Sequence, residues 1–256
     1  MGKPIVGIQM YSLRDEAERD LFGTLEKVAE MGYKAVELIG YFNAKAEKLK
    51  ERAEQAGLRI PSTFISLNFK VIGKLQNDFA KELDYAGVLG VKYIVTPWIP
   101  VQEQPTMDDV KFLANVLTKC GQQAKDAGIQ FGIHNHDTDF KLVDGKPLFD
   151  HLLERVPQEL MMAELDLGWI YMAGYRPADY LRKYRGRVPL VHLRDFVKGR
   201  KDTELGKGVV GCEELLGELA PAEVECVFVE QEHFLESSLL SAKANMEYLR
   251  KIGYVN

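Results

Sequence analysis

A chain of 256 residues with 46% apolar content can bury a sizeable core, which fits one large α/β domain over 1–256. Its formal charge of −5, with acids and bases mixed along the chain, speaks against a nucleic-acid partner, because backbone binding needs a concentrated basic surface. No segment reaches membrane-spanning length and none has the pattern of a cleaved leader, so no membrane partner and a cytoplasmic location are expected. The one basic stretch, KYRGRVPLVHLRDFVKGRK, reads mainly as solvated helix and loop positions. Cys120, Cys212 and Cys226 have no paired spacing, and read as small buried apolar residues.

Strand-like runs alternate with helical ones. PIVGIQM (4–10) is the first strand, and a helix over 18–31 carries Leu21, Leu25, Val28 and Ala29 on one face, with Gly32 to end it. KAVELI (34–39) is the second strand, and Asn43 is placed to cap a helix over 44–56 that Gly57 closes. Pro61 interrupts the third strand, LRIPSTFI (58–65), which should be short or irregular. A helix over 75–89 leads to VKYIVTP (91–97), and Thr106 with Asp109 marks the start of a helix running to Ala127. IQFGIHNH (129–136) is the fifth strand. A helix opened by Pro147 ends before Pro157. MMAELD, VPLVHL and ECVFVE are strands six to eight; a helix starts near Glu213 and a last one covers 237–251. Near-continuous apolar strands between amphipathic helices mean a parallel sheet covered by helices. No G-x-G-x-x-G follows the first strand, and eight such units predict a single (β/α)8 TIM barrel.

In such a barrel the reactive groups gather where strands end. His134, Asp166, His192 and Glu230 sit at or near the ends of FGIH, MMAELD, VPLVH and CVFVE. Two imidazoles and two carboxylates from strands five to eight suit one divalent ion: manganese, cobalt, nickel, iron or zinc, with magnesium less favoured for its preference for oxygen. His136 lies two residues from His134 on the same strand face, so either is a possible fifth-strand ligand, the other serving as acid, base or substrate contact. Glu37, ending KAVEL, is a second proton-transfer candidate, or else a salt-bridge partner of Arg14. Gln9, Tyr11, Ser12 and Arg14 add hydrogen-bonding groups; Thr63, Ser66, Trp98 and Trp169 are candidate pocket-lining residues. Gly206, Gly208 and Gly211 form a turn able to offer backbone donors to an anion, or a plain loop.

These motifs, with GIQMYSLR, GYKAVEL, FGIHNHDTDF, ELDLGW, HLRDF, LGKGVV and FVEQE, resemble the sugar phosphate isomerase/epimerase superfamily of xylose isomerase-like TIM barrels. Inosose dehydratase, hydroxypyruvate isomerase, ketose 3-epimerases and endonuclease IV belong to it. The resemblance implies a metal held at His134, Asp166, His192 and Glu230, with a histidine at the first place where the epimerases have a glutamate. It implies substrate contacts by Glu37 and by Arg194 or Asp195; Glu232 is a further candidate for binding or proton transfer. Trp169 stands where many relatives have a histidine. The implied activity is metal-dependent isomerisation or epimerisation of a keto sugar, sugar phosphate or polyol, through an enediolate with Glu230 and His136 or Glu37 moving protons. Dehydration on the same scaffold and non-catalytic sugar binding are the alternatives. A homodimer is the default oligomer. A three-metal repair enzyme is disfavoured, since only five histidines are present and two of them, His151 and His233, lie outside the motif.

Overall fold

Strands form where β-branched and aromatic residues cluster, and helices where apolar residues recur on one face. The computed structural model describes residues 2–69 and 71–255. Eight strands are β1 (Ile5–Gln9), β2 (Ala35–Ile39), β3 (Arg59–Phe64), β4 (Tyr93–Thr96), β5 (Gln130–His134), β6 (Met162–Asp166), β7 (Leu190–Leu193) and β8 (Cys226–Val229). They pair in parallel in chain order, and β8 pairs with β1 to close the barrel. The expected parallel barrel is therefore the observed fold. Around it pack α1 (Arg14–Met31), α2 (Ala46–Gln55), α3 (Ile72–Leu89), α4 (Met107–Asp126), α5 (Leu148–Arg155), α6 (Leu167–Met172), α7 (Pro177–Lys183), α8 (Cys212–Leu219) and α9 (Ser238–Lys251).

Several boundaries differ from the sequence expectation, each for a local reason. A 3-10 turn over Met10–Leu13 runs directly into α1, which therefore starts at Arg14 and not near 18. Asn43 does not cap α2; Lys45 precedes the helix without a side-chain cap, and Asn43 sits at φ 59° in the turn before it. The Thr106–Asp109 capping box is present, and Gly32 takes the left-handed position after α1 at φ 104°. Pro61 lies at a register shift between β2 and β3: Ala35 pairs with Arg59 but Glu37 with Ser62. A residue without an N–H is tolerated at such a bulge. Two short helices, α6 and α7, fill the β6–β7 connection, where the sequence pattern marks no helix bounds. After β7 the chain forms a hairpin, Asp195–Val197 with Lys201–Thr203, instead of an open turn.

The core has two compartments. The larger lies between sheet and helices. The smaller fills the barrel with Ala35, Phe64, Tyr93, Val95, Met162, Leu190, Cys226 and Phe228. Its bulky members need small opposite neighbours: a Cβ at Gly7 would lie 2.6 Å from the Phe228 ring. Above this apolar plug, the side-chain period of two places polar residues on the same inward faces: Glu37 after Ala35, Glu164 and Asp166 after Met162, His192 after Leu190. The three cysteines are buried and free, as expected, and burial pushes the Cys120 and Cys226 thiols up to about 12. No described helix is long and apolar enough to cross a membrane.

Candidate metal centre and its surroundings

Ligand atoms of His134, Asp166, His192 and Glu230 all lie within 4.8 Å of one another, and all four residues are buried. Each is delivered by a strand end. Asp166 and His192 are direct neighbours in the β6–β7 register, and His134 is level with Glu164. Asn135, just past β5, fixes Asp166: its amide oxygen accepts the Asp166 N–H at 3.1 Å and its amide nitrogen donates to the Asp166 carbonyl at 3.3 Å. Asp166 Oδ1 in turn accepts the Trp169 N–H at 2.8 Å, capping α6, so its other oxygen is directed to the ring. That oxygen, Oδ2, lies 3.8 Å from His134 Nε2 and is buried without a hydrogen bond.

A second layer lies deeper. Glu37 Oε1 accepts the Ser62 hydroxyl at 2.5 Å, and Oε2 accepts the Gln9 amide at 2.7 Å and faces His192 Nε2 at 2.6 Å. The other imidazole nitrogen of His192 faces Glu230 Oε2 at 2.8 Å. Glu164 stands between the histidines, with Oε2 3.3 Å from His134 Nδ1 and 3.4 Å from His192 Nε2; its Oε1 has no hydrogen-bond partner. Sequence reasoning missed Glu164, although its spacing of two from Asp166 put it on the same strand face. Ser62 was missed as well. It, and not its neighbour Thr63, turns toward Glu37.

Acids outnumber cations in this enclosure, and their protonation shows it. Burial, reinforced by the neighbouring Glu37, raises the Glu164 carboxyl well above its ordinary value. Burial also pushes Asp166 up to about 7, against the pull of Arg194. For Glu230 the balance is reversed: burial is outweighed by Arg194 and His192, which hold it well below the usual carboxylate range. Burial and the neighbouring His192 lower His134 well below its ordinary value. Burial acts the same way on His192, but Glu164, Glu230 and Glu37 together hold it well above. Asp166, deprived of solvent and with Oδ2 lacking a hydrogen bond 3.8 Å from His134 Nε2, is a carboxyl that a divalent cation in the ring would neutralise. The donor set of two nitrogens and two carboxylates fits such an ion.

The other predicted residues are distributed unequally. His136 is half-buried beside His134 and Trp169, outside the four-residue ring; its Nδ1 is buried without a partner, as is Trp169 Nε1. Arg194 is buried against Trp169 and Phe196, with Nε 2.9 Å from Asp166 Oδ2 and Nη1 2.8 Å from Glu232 Oε1; Nη2 pairs with Glu230. Arg14 does not pair with Glu37. It donates to the carbonyls of Tyr11 and Glu232 and so ties the β1 exit to the β8 exit. Gln9 is spent on Glu37 and on the Tyr11 N–H. Asp195, expected near the substrate, instead orders the loop after β7: its carboxylate accepts the N–H groups of Phe196, Gly206, Gly208 and Val210. The anion served by the glycine-rich turn is thus Asp195 itself. Trp98 is 56% exposed and Ser66 is exposed. Asp139 accepts the His136 N–H at 2.8 Å, and Asp137 pairs with Arg200.

The model of the family described as xylose isomerase-like TIM barrel matches residues 25–252. A crystal structure of a sugar phosphate isomerase/epimerase from Parabacteroides distasonis ATCC 8503 superposes with a TM-score of 0.89 at 25% identity, covering all of both chains. The 3-keto-D-glucoside 4-epimerase YcjR of E. coli shares the fold alone, with a TM-score of 0.76 at 17% identity over 97% of this chain and all of that one. Among curated proteins, an inosose dehydratase of Clostridium botulinum (strain Alaska E43 / Type E3) is 26% identical over 67% of this chain and 62% of its own. One from Bacillus cereus (strain AH820) is 25% identical over 83% of this chain and 82% of its own. The chain thus spans less than two thirds of the length of several dehydratases it matches.

Proposed function

Because this chain belongs to the xylose isomerase-like TIM-barrel family, we propose that it is a divalent-metal-dependent isomerase or epimerase of a keto sugar, sugar phosphate or related polyol, working through an enediolate. The observation that carries this reading is the buried ring of His134, Asp166, His192 and Glu230. These four would hold the ion; manganese, cobalt, zinc, nickel and iron suit the mixed donor set better than magnesium. When bound, the ion supplies Lewis-acid polarisation of a carbonyl and its neighbouring hydroxyl.

The chain's own residues do the rest. Glu230, held well below the usual carboxylate range in the metal-free protein by Arg194 and His192, accepts the proton from the carbon beside the carbonyl. His136, kept neutral by burial and with a free Nδ1, is placed to return a proton or hold a substrate hydroxyl. The indole N–H of Trp169 is a second unpaired donor beside it. Glu232 fixes Arg194 from the outer side. Glu37, fully buried with both oxygens engaged, is better assigned to orienting His192 than to proton transfer.

Dehydration is the second reading, favoured by a specific feature. The ring receives an imidazole from β5, so the second face of a substrate has no carboxylate base of the kind two-sided epimerisation uses. Elimination of a β-hydroxyl needs one base and one acid, which Glu230 and His136 provide. The inosose dehydratases among the relatives support it. The test is a panel of keto sugars and inososes in deuterated water with manganese-loaded protein. Deuterium uptake with sugar interconversion supports the isomerase or epimerase, and water loss selects the dehydratase. No uptake from any member, under conditions where manganese is bound, overturns the enolisation chemistry.

A further inference from the structure

Arg194 is the bulkiest fully buried side chain among the described residues, and its place has a visible cost. Gly168 must lack a Cβ, because one would overlap the Arg194 Cγ. A buried guanidinium needs compensating charge, and Arg194 has two separate pairs of acids. One pair is Asp166 and Glu230, both members of the proposed metal ring. The other is Glu232, 2.8 Å from Nη1, and Asp202, 3.7 Å from Nη1, both outside the ring. Glu232 and Asp202 are themselves linked, since Asp202 Oδ2 accepts the Glu232 N–H at 3.1 Å. The contact to Asp166 is close but poorly aligned: Arg194 Nε and Asp166 Oδ2 lie 2.9 Å apart, yet neither makes a hydrogen bond. Asp202 Oδ1 also lacks a hydrogen-bond partner, so the outer pair has unused acceptor capacity.

We propose that Arg194 is an internal counter-cation that competes with the metal for Asp166 and Glu230, and that Glu232 and Asp202 form the acidic seat to which it withdraws when the ion enters. This rests on the metal reading of the ring. A divalent ion and a guanidinium on the same two carboxylates repel each other, and in a buried site that repulsion is poorly screened. The ion therefore gains the ring's two carboxylates only as Arg194 moves toward the outer pair. Arg194 holds the ligand acids together before the ion arrives and limits how tightly it is kept afterwards. Glu232 acts through Arg194, as a positioning residue.

The test uses the full chain freed of metal with a chelator and titrated with manganese, following free ion by electron paramagnetic resonance. Wild type, Arg194→Gln, Glu232→Gln and the double variant are compared. Arg194→Gln should tighten manganese binding by about tenfold and lower the metal-free melting temperature, with manganese restoring it. Glu232→Gln should weaken binding several-fold in the wild-type background and leave it within about twofold in the Arg194→Gln background, because its effect passes through the guanidinium. Independent effects that multiply in the double variant would mean a general field and would overturn the exchange, as would weaker binding by Arg194→Gln. If Arg194→Gln does not fold, Arg194→Lys, whose single ammonium cannot span both acid pairs, should still tighten binding; an unchanged Kd for it refutes the proposal. Failure of all the chains, wild type included, to bind manganese removes the metal reading itself, a result distinct from binding that ignores Arg194.

Discussion

Replacing Asp166 by asparagine removes the ring carboxyl whose charge burial resists. Burial raises that carboxyl from 3.8 to about 7, with Arg194 opposing. A carboxyl raised in the folded state holds its proton more tightly there than in the unfolded chain. Stability therefore falls as pH rises from about 3.8 through about 7, and this group causes no further loss above that. The whole rise corresponds to about 4 kcal/mol, and the part between pH 5 and pH 7 to about 3 kcal/mol. Glu164, also raised, contributes in the same direction in both proteins. The stabilising contribution of His192 is complete below its ordinary value and is lost only as pH climbs toward its higher folded pKa. Glu230, held low, contributes stability above its ordinary value and loses it only in acid. Comparison of the two proteins removes Asp166 and, with it, the repulsion it shares with Glu230. Metal-free wild type should lose about 3 kcal/mol more than Asp166→Asn between pH 5 and pH 7, a difference of roughly 6–12 °C in melting temperature. Thermal melts of chelated protein across that range make the measurement. Parallel pH profiles would refute the assignment of a buried, proton-holding Asp166. The same linkage requires manganese affinity in wild type to increase with pH up to about 7, since the ion must displace that proton.

Three further outcomes follow from packing and charge. Gly168→Ala forces a methyl group into the Arg194 side chain and the Phe196 ring, and should cost about 1–3 kcal/mol in chemical denaturation; an unchanged midpoint would show that Arg194 is not confined there. Asp195→Ala removes the acceptor shared by Gly206, Gly208 and Val210, and should cost about 3 kcal/mol and speed protease cleavage in 204–211, while manganese affinity stays within about twofold of wild type. A large loss of affinity would place Asp195 at the site after all. Glu164→Gln keeps the side-chain shape but removes a buried carboxyl that is raised well above its ordinary value, so the metal-free variant should lose less stability than wild type as pH rises from acid to neutral; equal losses in thermal melts would refute the raised carboxyl.

The barrel was legible because its signal is periodic and repeated: glycine-terminated helices and short apolar runs recur through the chain. The rim residues were legible because a polar residue ending an apolar run breaks that pattern, as His192 and Glu230 do. Glu164 was hidden by its own neighbour. Beside Asp166 it looked like one of two acids at a strand end, and only the two-residue period told that both point inward. The roles of Arg14, Asp195 and Gln9 were not legible, since each is decided by which distant backbone or side-chain group its polar atoms meet. Asp195 shows this plainly: the family resemblance implied a substrate contact by Arg194 or Asp195, and the Asp195 carboxylate closes a loop more than ten residues away. The helices α6 and α7 escaped because six or seven residues carry too little periodicity, and α6 is started by the ring residue Asp166 itself.

The proposed function depends on one divalent ion in the ring of His134, Asp166, His192 and Glu230. Its most direct test is the manganese or cobalt content of protein purified without chelator and then equilibrated with the ion and freed of excess. Wild type should hold one equivalent per chain, and His192→Ala should lose affinity by at least about 100-fold, beyond what is usual for removing a group behind the ligands. Less than about one-tenth of an equivalent in wild type, or unchanged affinity in His192→Ala, would contradict it.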